Sequence, residues 1–173
     1  MRLLEDVEMT LNTVVSVEFE KMADDLLMIT INNDIKNETR IFNYWRLLGN
    51  GQNPPLEIGV DDDKMIIHSI TVFVDRDNFT KVKNFNGTIK SGNIIIDTNL
   101  FQKHRYVDVE GLYYVFLNDR AFTCMFNDIA NIKERVLNGR VEYLITNNNE
   151  LCGFSICNLD NKELDMIKSL SIQ

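Results

Sequence analysis

Proline and alanine are nearly missing from this chain: Pro54 and Pro55 are its only prolines, and alanine stands only at 23, 121 and 130. With Asn and Ile abundant, such a bias is what an AT-rich genome produces. Histidine occurs twice, at His68 and His104, and cysteine three times, at Cys124, Cys152 and Cys157. No Cys-x-x-Cys spacing is present, so the ligand sets of structural zinc sites are absent. The eight glycines form neither a phosphate-cradling loop nor a Gly-x-Ser-x-Gly elbow. No segment approaches the roughly 18 consecutive apolar residues that would cross a bilayer as a helix. The opening MRLLEDVEMT has too short an apolar stretch for a secretory signal and is acidic by Glu5. Cytoplasmic residence is expected, with the cysteines reduced and buried.

The net charge of −8 and the scatter of Lys81, Lys83 and Lys90 argue against general affinity for nucleic acid. Such an acidic balance suits a basic protein partner, and is also ordinary for soluble cytosolic proteins.

Hydrophobic content of 45% over 173 residues fits a single domain spanning 1–173. The stretch LEIGVDDDKMIIHSITVFV, Leu56 to Val74, reads as two apolar strands around an acidic turn. Its second strand is nearly continuous in apolar residues, which places it centrally in a sheet. Val15, Val17 and Phe19 alternate with Ser16, Glu18 and Glu20, and Leu26 to Ile31 follows a turn at Ala23–Asp25, so this pair is a hairpin. Thr39 to Leu48 is expected as a third strand, with a helix as the alternative for ten residues that include Leu, Arg and Trp, and Asn32 to Glu38 before it is a polar loop. Further strands are expected at Asn93–Asp97, Val107–Leu117, Ala121–Phe126, Val141–Thr146 and Leu151–Cys157, with a turn at Asn86-Gly87.

Helices are expected in three places. Residues 2–9 have Leu3, Leu4 and Val7 on one side. Asp128 to Leu137 carries Ile129, Ile132 and Val136 at helical spacing and ends at Asn138-Gly139. Asp160 and Glu163 form a capping box ahead of Leu164, Ile167 and Leu170. The expected fold is α+β: a mostly antiparallel sheet of about eight to ten strands with two or three packed helices. DDDKMIIHSI (Asp61–Ile70) and NNNELCGFSI (Asn147–Ile156) share a polar triplet, a charged residue and a closing Ser-Ile, too short a match to establish a repeat.

The chemistry-bearing candidates are few. Asp61, Asp62, Asp63, Asp75 and Asp77 suggest a cation loop, but the oxygen ligand, glycine and glutamate spacing of a calcium site fails. Ser69 and Cys124 lack an evident base and acid for nucleophilic catalysis, so no enzyme, cofactor or metal is expected. Trp45 and Arg46, beside Phe42 and Tyr44, are residue types that anchor protein interfaces, though Trp45 equally suits a core.

With Trp45-Arg46, PPLEIGVD (Pro54–Asp61), Ser69-Ile70-Thr71 and the closing NNNELCGFSICNLDNKELDMIKSL, the chain resembles small acidic orphan proteins of low-GC Gram-positive bacteria. Some of these are immunity proteins of toxin systems. That resemblance implies a non-catalytic protein that covers a cognate basic toxin domain, with Asp61, Asp62, Asp63, Asp75, Asp77, Trp45 and Arg46 as candidate partner-binding residues. The second expectation is a small-molecule or regulatory ligand-binding domain, its pocket lined by Trp45, Tyr113, Tyr114 or Phe116. A deep apolar pocket favours the second and a flat acidic face the first.

Overall fold

The computed structural model describes residues 1–3, 14–34, 41–49, 51, 54–82, 84–126 and 132–171. Its strands are β1 (Val14–Ala23), β2 (Leu26–Asp34), β3 (Phe42–Leu47), β4 (Leu56–Asp61), β5 (Ile67–Val74), β6 (Thr88–Ser91) and β7 (Tyr106–Val109). The rest are β8 (Tyr114–Asn118), β9 (Ala121–Met125), β10 (Ile132–Asn138), β11 (Val141–Thr146) and β12 (Leu151–Ile156). They form two six-stranded sheets, β1-β2-β5-β4-β3-β7 and β6-β10-β11-β12-β9-β8. Among the described residues the one α-helix is α1 (Asn161–Ser171). The fold is therefore β-rich, with two mixed sheets, and not the expected α+β sheet with two or three helices.

The expected helix over Asp128–Leu137 is corrected directly. Residues 132–137 belong to β10, which pairs with β11 on one side and β6 on the other; residues 128–131 lie outside the described residues. Ile132 and Val136 satisfy a period of two as well as a helical one, and two flanking strands decide between them. Gly139, at φ 61°, serves the β10–β11 turn and not a helix cap. Of residues 2–9, Arg2 and Leu3 make β-bridges to Glu150 and Ile96, and the others are outside the described residues. Val107–Leu117 divides into β7 and β8. Asn86-Gly87 does not close a hairpin, because β6 after it runs parallel to β10.

The two sheets repeat one topology. A hairpin, β1–β2, is followed by a meander, β3–β4–β5, whose last strand lies beside the hairpin. The order recurs as β8–β9 and β10–β11–β12. Each half receives a sixth strand parallel to the start of its meander, β7 on β3 and β6 on β10.

Local details repeat as well. The β4–β5 register shifts between Gly59 and Val60, leaving His68 extra, and the β11–β12 register shifts between Leu144 and Ile145, leaving Cys152 extra. In the turns beyond these bulges, Asp61 Oδ1 accepts from the Asp63 and Lys64 amides, and Thr146 Oγ1 accepts from the Asn148 and Glu150 amides. Met65 (φ 58°) and Asn149 (φ 56°) take the same left-handed position. Both halves then end in a capping box, Asp75 with Asn78 and Asp160 with Glu163. Matching the bulges pairs Ser69 with Gly153, so the Ser-Ile match read in the sequence is two residues out of structural register, although its two hairpins are true counterparts.

The halves also exchange segments. Leu3 donates to the carbonyl of Asn149 in the second half, and Ile96 donates to the carbonyl of Met65 in the first. Arg2 bridges Glu150 while Ile95 bridges Ile66, and Leu3 bridges Ile96 between them. After β12, α1 packs on β1 and β2; after β5, Phe79 bridges Val115 on β8. These reciprocal crossings are those of two units related by an approximate twofold. Side chains from both sheets form one buried cluster, from Ile29, Ile58 and Val72 to Val136, Tyr143 and Phe154. The outer face of the second sheet carries a smaller cluster, Phe116, Met125, Leu144 and Cys152, covered by Phe85 and Ile132.

Candidate functional site

Strand β3 places its side chains alternately on two faces, as a pleated strand must. Asn43, Trp45 and Leu47 are buried, while Phe42, Tyr44 and Arg46 are half-exposed. Trp45, only 6% exposed, meets the Phe126 ring at 5.4 Å between centroids, a tilted pair joining the two sheets. Beside that pair lies a cleft of about 710 Å³, within the usual range for small-molecule sites. Its apolar wall comprises Trp45, Leu47, Phe126 and Leu151, and Leu100, Val109 and Leu112 line it as exposed residues. Arg2, Asp97, Asn99, Glu110 and Glu150 supply its polar groups. The walls come from the amino-terminal segment, β3, the 97–100 turn, the end of β7, and residues at the ends of β9 and β12.

The counterpart position in the other half has a different lining. Strand matching sets Trp45 against Val136, Leu47 against Asn138, Phe126 against Asn33, Leu151 against Ile67 and Glu150 against Ile66. All five counterparts are buried. Asn33 Nδ2 donates to the Ile67 carbonyl at 2.5 Å and to the Tyr143 hydroxyl at 3.2 Å, and Asn138 Nδ2 donates to Asn93 Oδ1 at 2.6 Å.

On the opposite face of β3, Tyr44 stacks on Tyr106 with ring centroids 5.2 Å apart, and the Arg46 guanidinium lies 4.9 Å over the Tyr106 ring. Arg46 also grips Asp108 through two hydrogen bonds of 2.7 and 2.9 Å, which hold the Asp108 carboxyl below its ordinary range. Tyr106 is 52% exposed.

The sequence-derived site residues do not converge. Asp61, only 2% exposed, caps its turn, and Asp62 accepts from Asn43 Nδ2 at 2.6 Å. Asp63 projects from the same turn. Asp75 and Asp77 lie past the far end of β5, about 25 Å away at the usual rise of an eight-residue strand. There Asp75 caps the 3-10 turn Arg76–Asn78. Trp45 and Arg46 face opposite sides of the sheet. Of the aromatic residues suggested for a pocket, only Trp45 lines the cleft. The Tyr113 hydroxyl donates to the Phe73 carbonyl, Tyr114 is exposed, and Phe116 is buried under Phe85. Phe126, Glu110 and Glu150 were not distinguished by the sequence, because no local pattern marks a wall assembled from distant segments.

Cys124 is buried and its thiol is pushed well above the ordinary range by burial, whereas His104 is exposed. His68 stacks on Phe42, with centroids 4.2 Å apart. Among the described residues no group of three or more His, Cys, Asp or Glu side chains could hold a metal ion, and no helix is long and apolar enough to cross a membrane. No protein-family model matches the chain, and no curated protein matches it.

Proposed function

We propose that this protein is a non-catalytic binding protein whose site is the cleft between its two sheets, and that its ligand is a small molecule with an apolar body. The observation that carries the reading is the open volume beside Trp45 and Phe126. Its size and mixed lining are those of ligand sites. Three unbridged cysteines support a reducing, cytoplasmic setting. Trp45 is the only tryptophan, so its emission reports directly on the cleft. A fragment screen read by Trp45 fluorescence tests the proposal, with Leu112→Trp as the blocked variant read by thermal shift. Leu112 is 52% exposed, so this rim substitution leaves the core intact. Hits that shift Trp45 emission and lose their thermal shift in the blocked variant support the reading; hits indifferent to it overturn it.

A second reading keeps the likeness to immunity proteins and takes a cognate basic toxin domain as partner. It is favoured by the exposed Tyr44–Tyr106–Arg46–Asp108 cluster, whose residue types dominate interface hot spots. Partner capture lost in Tyr106→Ala but kept in Leu112→Trp would select it over the cleft.

A further inference from the structure

We propose that the edge of β1 takes up an extended segment of a protein partner as an added strand, and that this segment alternates apolar residues with Lys or Arg. The proposal depends on neither the cleft nor the Tyr44–Tyr106 cluster, which lies at the other side of the same sheet. The edges of the two sheets are β1, β7, β6 and β8. β7 and β6 have four residues each and β8 has five, whereas β1 has ten, so only β1 offers a long template for pairing. Its register with β2 runs unbroken from Val14 to Lys21, with no bulge or proline in between. Edges are ordinarily protected by such interruptions or by charges pointing inward. The residues facing inward along this stretch are Val15, Val17 and Phe19, half-buried against the core.

The other half of the molecule has the same edge occupied. Through the matched bulges, Ser69 corresponds to Gly153, Asn32 to Met125, Ser16 to Tyr114 and Val17 to Val115. At Val115 a passing segment meets the edge of β8: Phe79 bridges it in parallel, and the Thr80 amide donates to the Val115 carbonyl at 2.9 Å. Phe79 also packs on the core. That segment follows the capping box of Asp75 and Asn78. Past the corresponding box of Asp160 and Glu163 the chain becomes α1, whose backbone groups bond along its own axis and cannot complete a ladder. A residue in an antiparallel pair directs its N–H and C=O to one side, so Val17, like Val115, turns both away from its hairpin partner. Among the described residues no strand lies there to meet them.

Charge identifies the partner. Ser16, Glu18 and Glu20 are exposed on the outer face, opposite the uncharged Asn32, Thr30 and Met28 of β2. Neither glutamate makes an ion pair among the described residues. Their counterparts on the occupied edge, Phe116 and Asn118, carry no charge. An added strand sets side chains beside these glutamates, where cations attract and acids repel. Its alternate residues reach Val15, Val17 and Phe19, as Phe79 reaches the core in the other half. A second copy of the chain fits less well. Twofold pairing of β1 with itself is antiparallel, opposite to the direction of Phe79, and centring it on Glu18 or Phe19 sets glutamates against one another.

The test uses the full chain, isotope-labelled for NMR, and two capped peptides at millimolar concentration, TVKVKVT and its acidic analogue TVEVEVT. The lysine peptide should move the amide signals of Val15 to Glu20 and bind about tenfold tighter than the glutamate peptide. Glu18→Lys/Glu20→Lys, at exposed positions, should reverse that order. Val17→Pro removes a donor that faces away from β2, a place where edge strands tolerate proline, and should abolish binding. Circular dichroism and unchanged β5 amide signals establish that both variants fold. Equal binding of the two peptides, or an order that survives Glu18→Lys/Glu20→Lys, overturns the basic partner. A lysine peptide that leaves the Val15 to Glu20 signals unmoved, or that binds Val17→Pro undiminished, overturns the edge as its site. A dimer that sedimentation detects and Val17→Pro dissolves gives the edge to a second copy and refutes the proposal as well.

Discussion

Gly153→Ala should be much more damaging than Gly59→Ala, although both glycines sit beside a bulge in matching hairpins. Gly59 lies opposite Ser69, and Leu144 opposite Gly153, so each hairpin places one glycine in the same cross-strand pair but on opposite strands. A methyl at 153 would collide with the backbone carbonyl oxygen of Cys124 and come within 3.2 Å of Met125 Cα. That backbone belongs to β9, held between β12 and β8, and cannot withdraw without breaking a ladder. A methyl at 59 would instead meet Ser69 Oγ at 2.6 Å, a hydroxyl that can rotate away, and Tyr44 Cε1 at 3.4 Å, an ordinary contact. Overpacking against fixed backbone costs about 2–3 kcal/mol, the upper part of the usual range. For a chain of this size that lowers the melting temperature by roughly 4–12 °C. Gly59→Ala should cost no more than about 1 kcal/mol, because rotamer adjustment relieves it. Ser69→Gly added to Gly59→Ala should recover most of that loss, recreating the arrangement of Leu144 and Gly153. Urea unfolding of the three variants decides the matter. Equal destabilisation at 59 and 153, or no rescue by Ser69→Gly, would refute the reasoning.

Met65 occupies a left-handed backbone position without being glycine or asparagine. Met65→Gly should therefore stabilise the protein by about 0.5–1 kcal/mol, while Asn149→Gly stays near neutral, as thermal melts will show. The Tyr143 hydroxyl is pushed up to about 12 by burial, against which its bond from Asn33 acts only weakly. Its neutral form is favoured in the fold, so its contribution is complete below pH 10 and lost as pH rises towards 12. Tyr143→Phe should flatten the fall in stability across that window, measured by urea midpoints at each pH. Finally, a break introduced between Val82 and Thr88 should yield two fragments that reassemble one to one when coexpressed. Arg2, Leu3, Ile95 and Ile96 cross between them, and α1 lies on β1 and β2. Fragments that each remain monomeric and never copurify would contradict the reciprocal arrangement.

Features set by neighbouring residues were legible in the sequence. The hairpins β1–β2, β4–β5 and β11–β12 follow from alternation and polar turns. In α1, Asp160, Glu163, Leu164, Ile167 and Leu170 occupy the positions that capping and helical spacing assign them. What depended on distant partners was not legible. β6 is four exposed residues that become a strand only beside β10, and β10 could be read as a helix until β6 and β11 flank it. The repeat was hidden because matched positions hold unlike residues, such as Trp45 and Val136, and because its best sequence match was displaced by two residues. An even displacement keeps every side chain on its proper face, so pleat periodicity alone could not reveal the error. Trp45 was recognised as notable, but neither Phe126 nor the volume beside the two rings could be inferred from positions so far apart.

The asymmetry between the halves explains how an open cleft can exist here without weakening the fold. Two sheets meeting through an approximate twofold offer two equivalent junctions, and an identical lining would open both or close both. One junction is lined by the buried Ile66, Ile67 and Val136 and tied across the sheets by Asn33 to Tyr143. Buried polar ties of this kind fix geometry as long as their partners are satisfied. Asn33 Nδ2 has two acceptors, while its buried Oδ1 has no donor among the described residues. With one junction so fixed, the other need not be filled to hold the sheets together, and the Trp45–Phe126 contact suffices beside an open volume. Enlarging Ile67 or Val136 should therefore disturb the fold, whereas enlarging Leu112 at the rim of the cleft should leave it intact, as thermal melts will show.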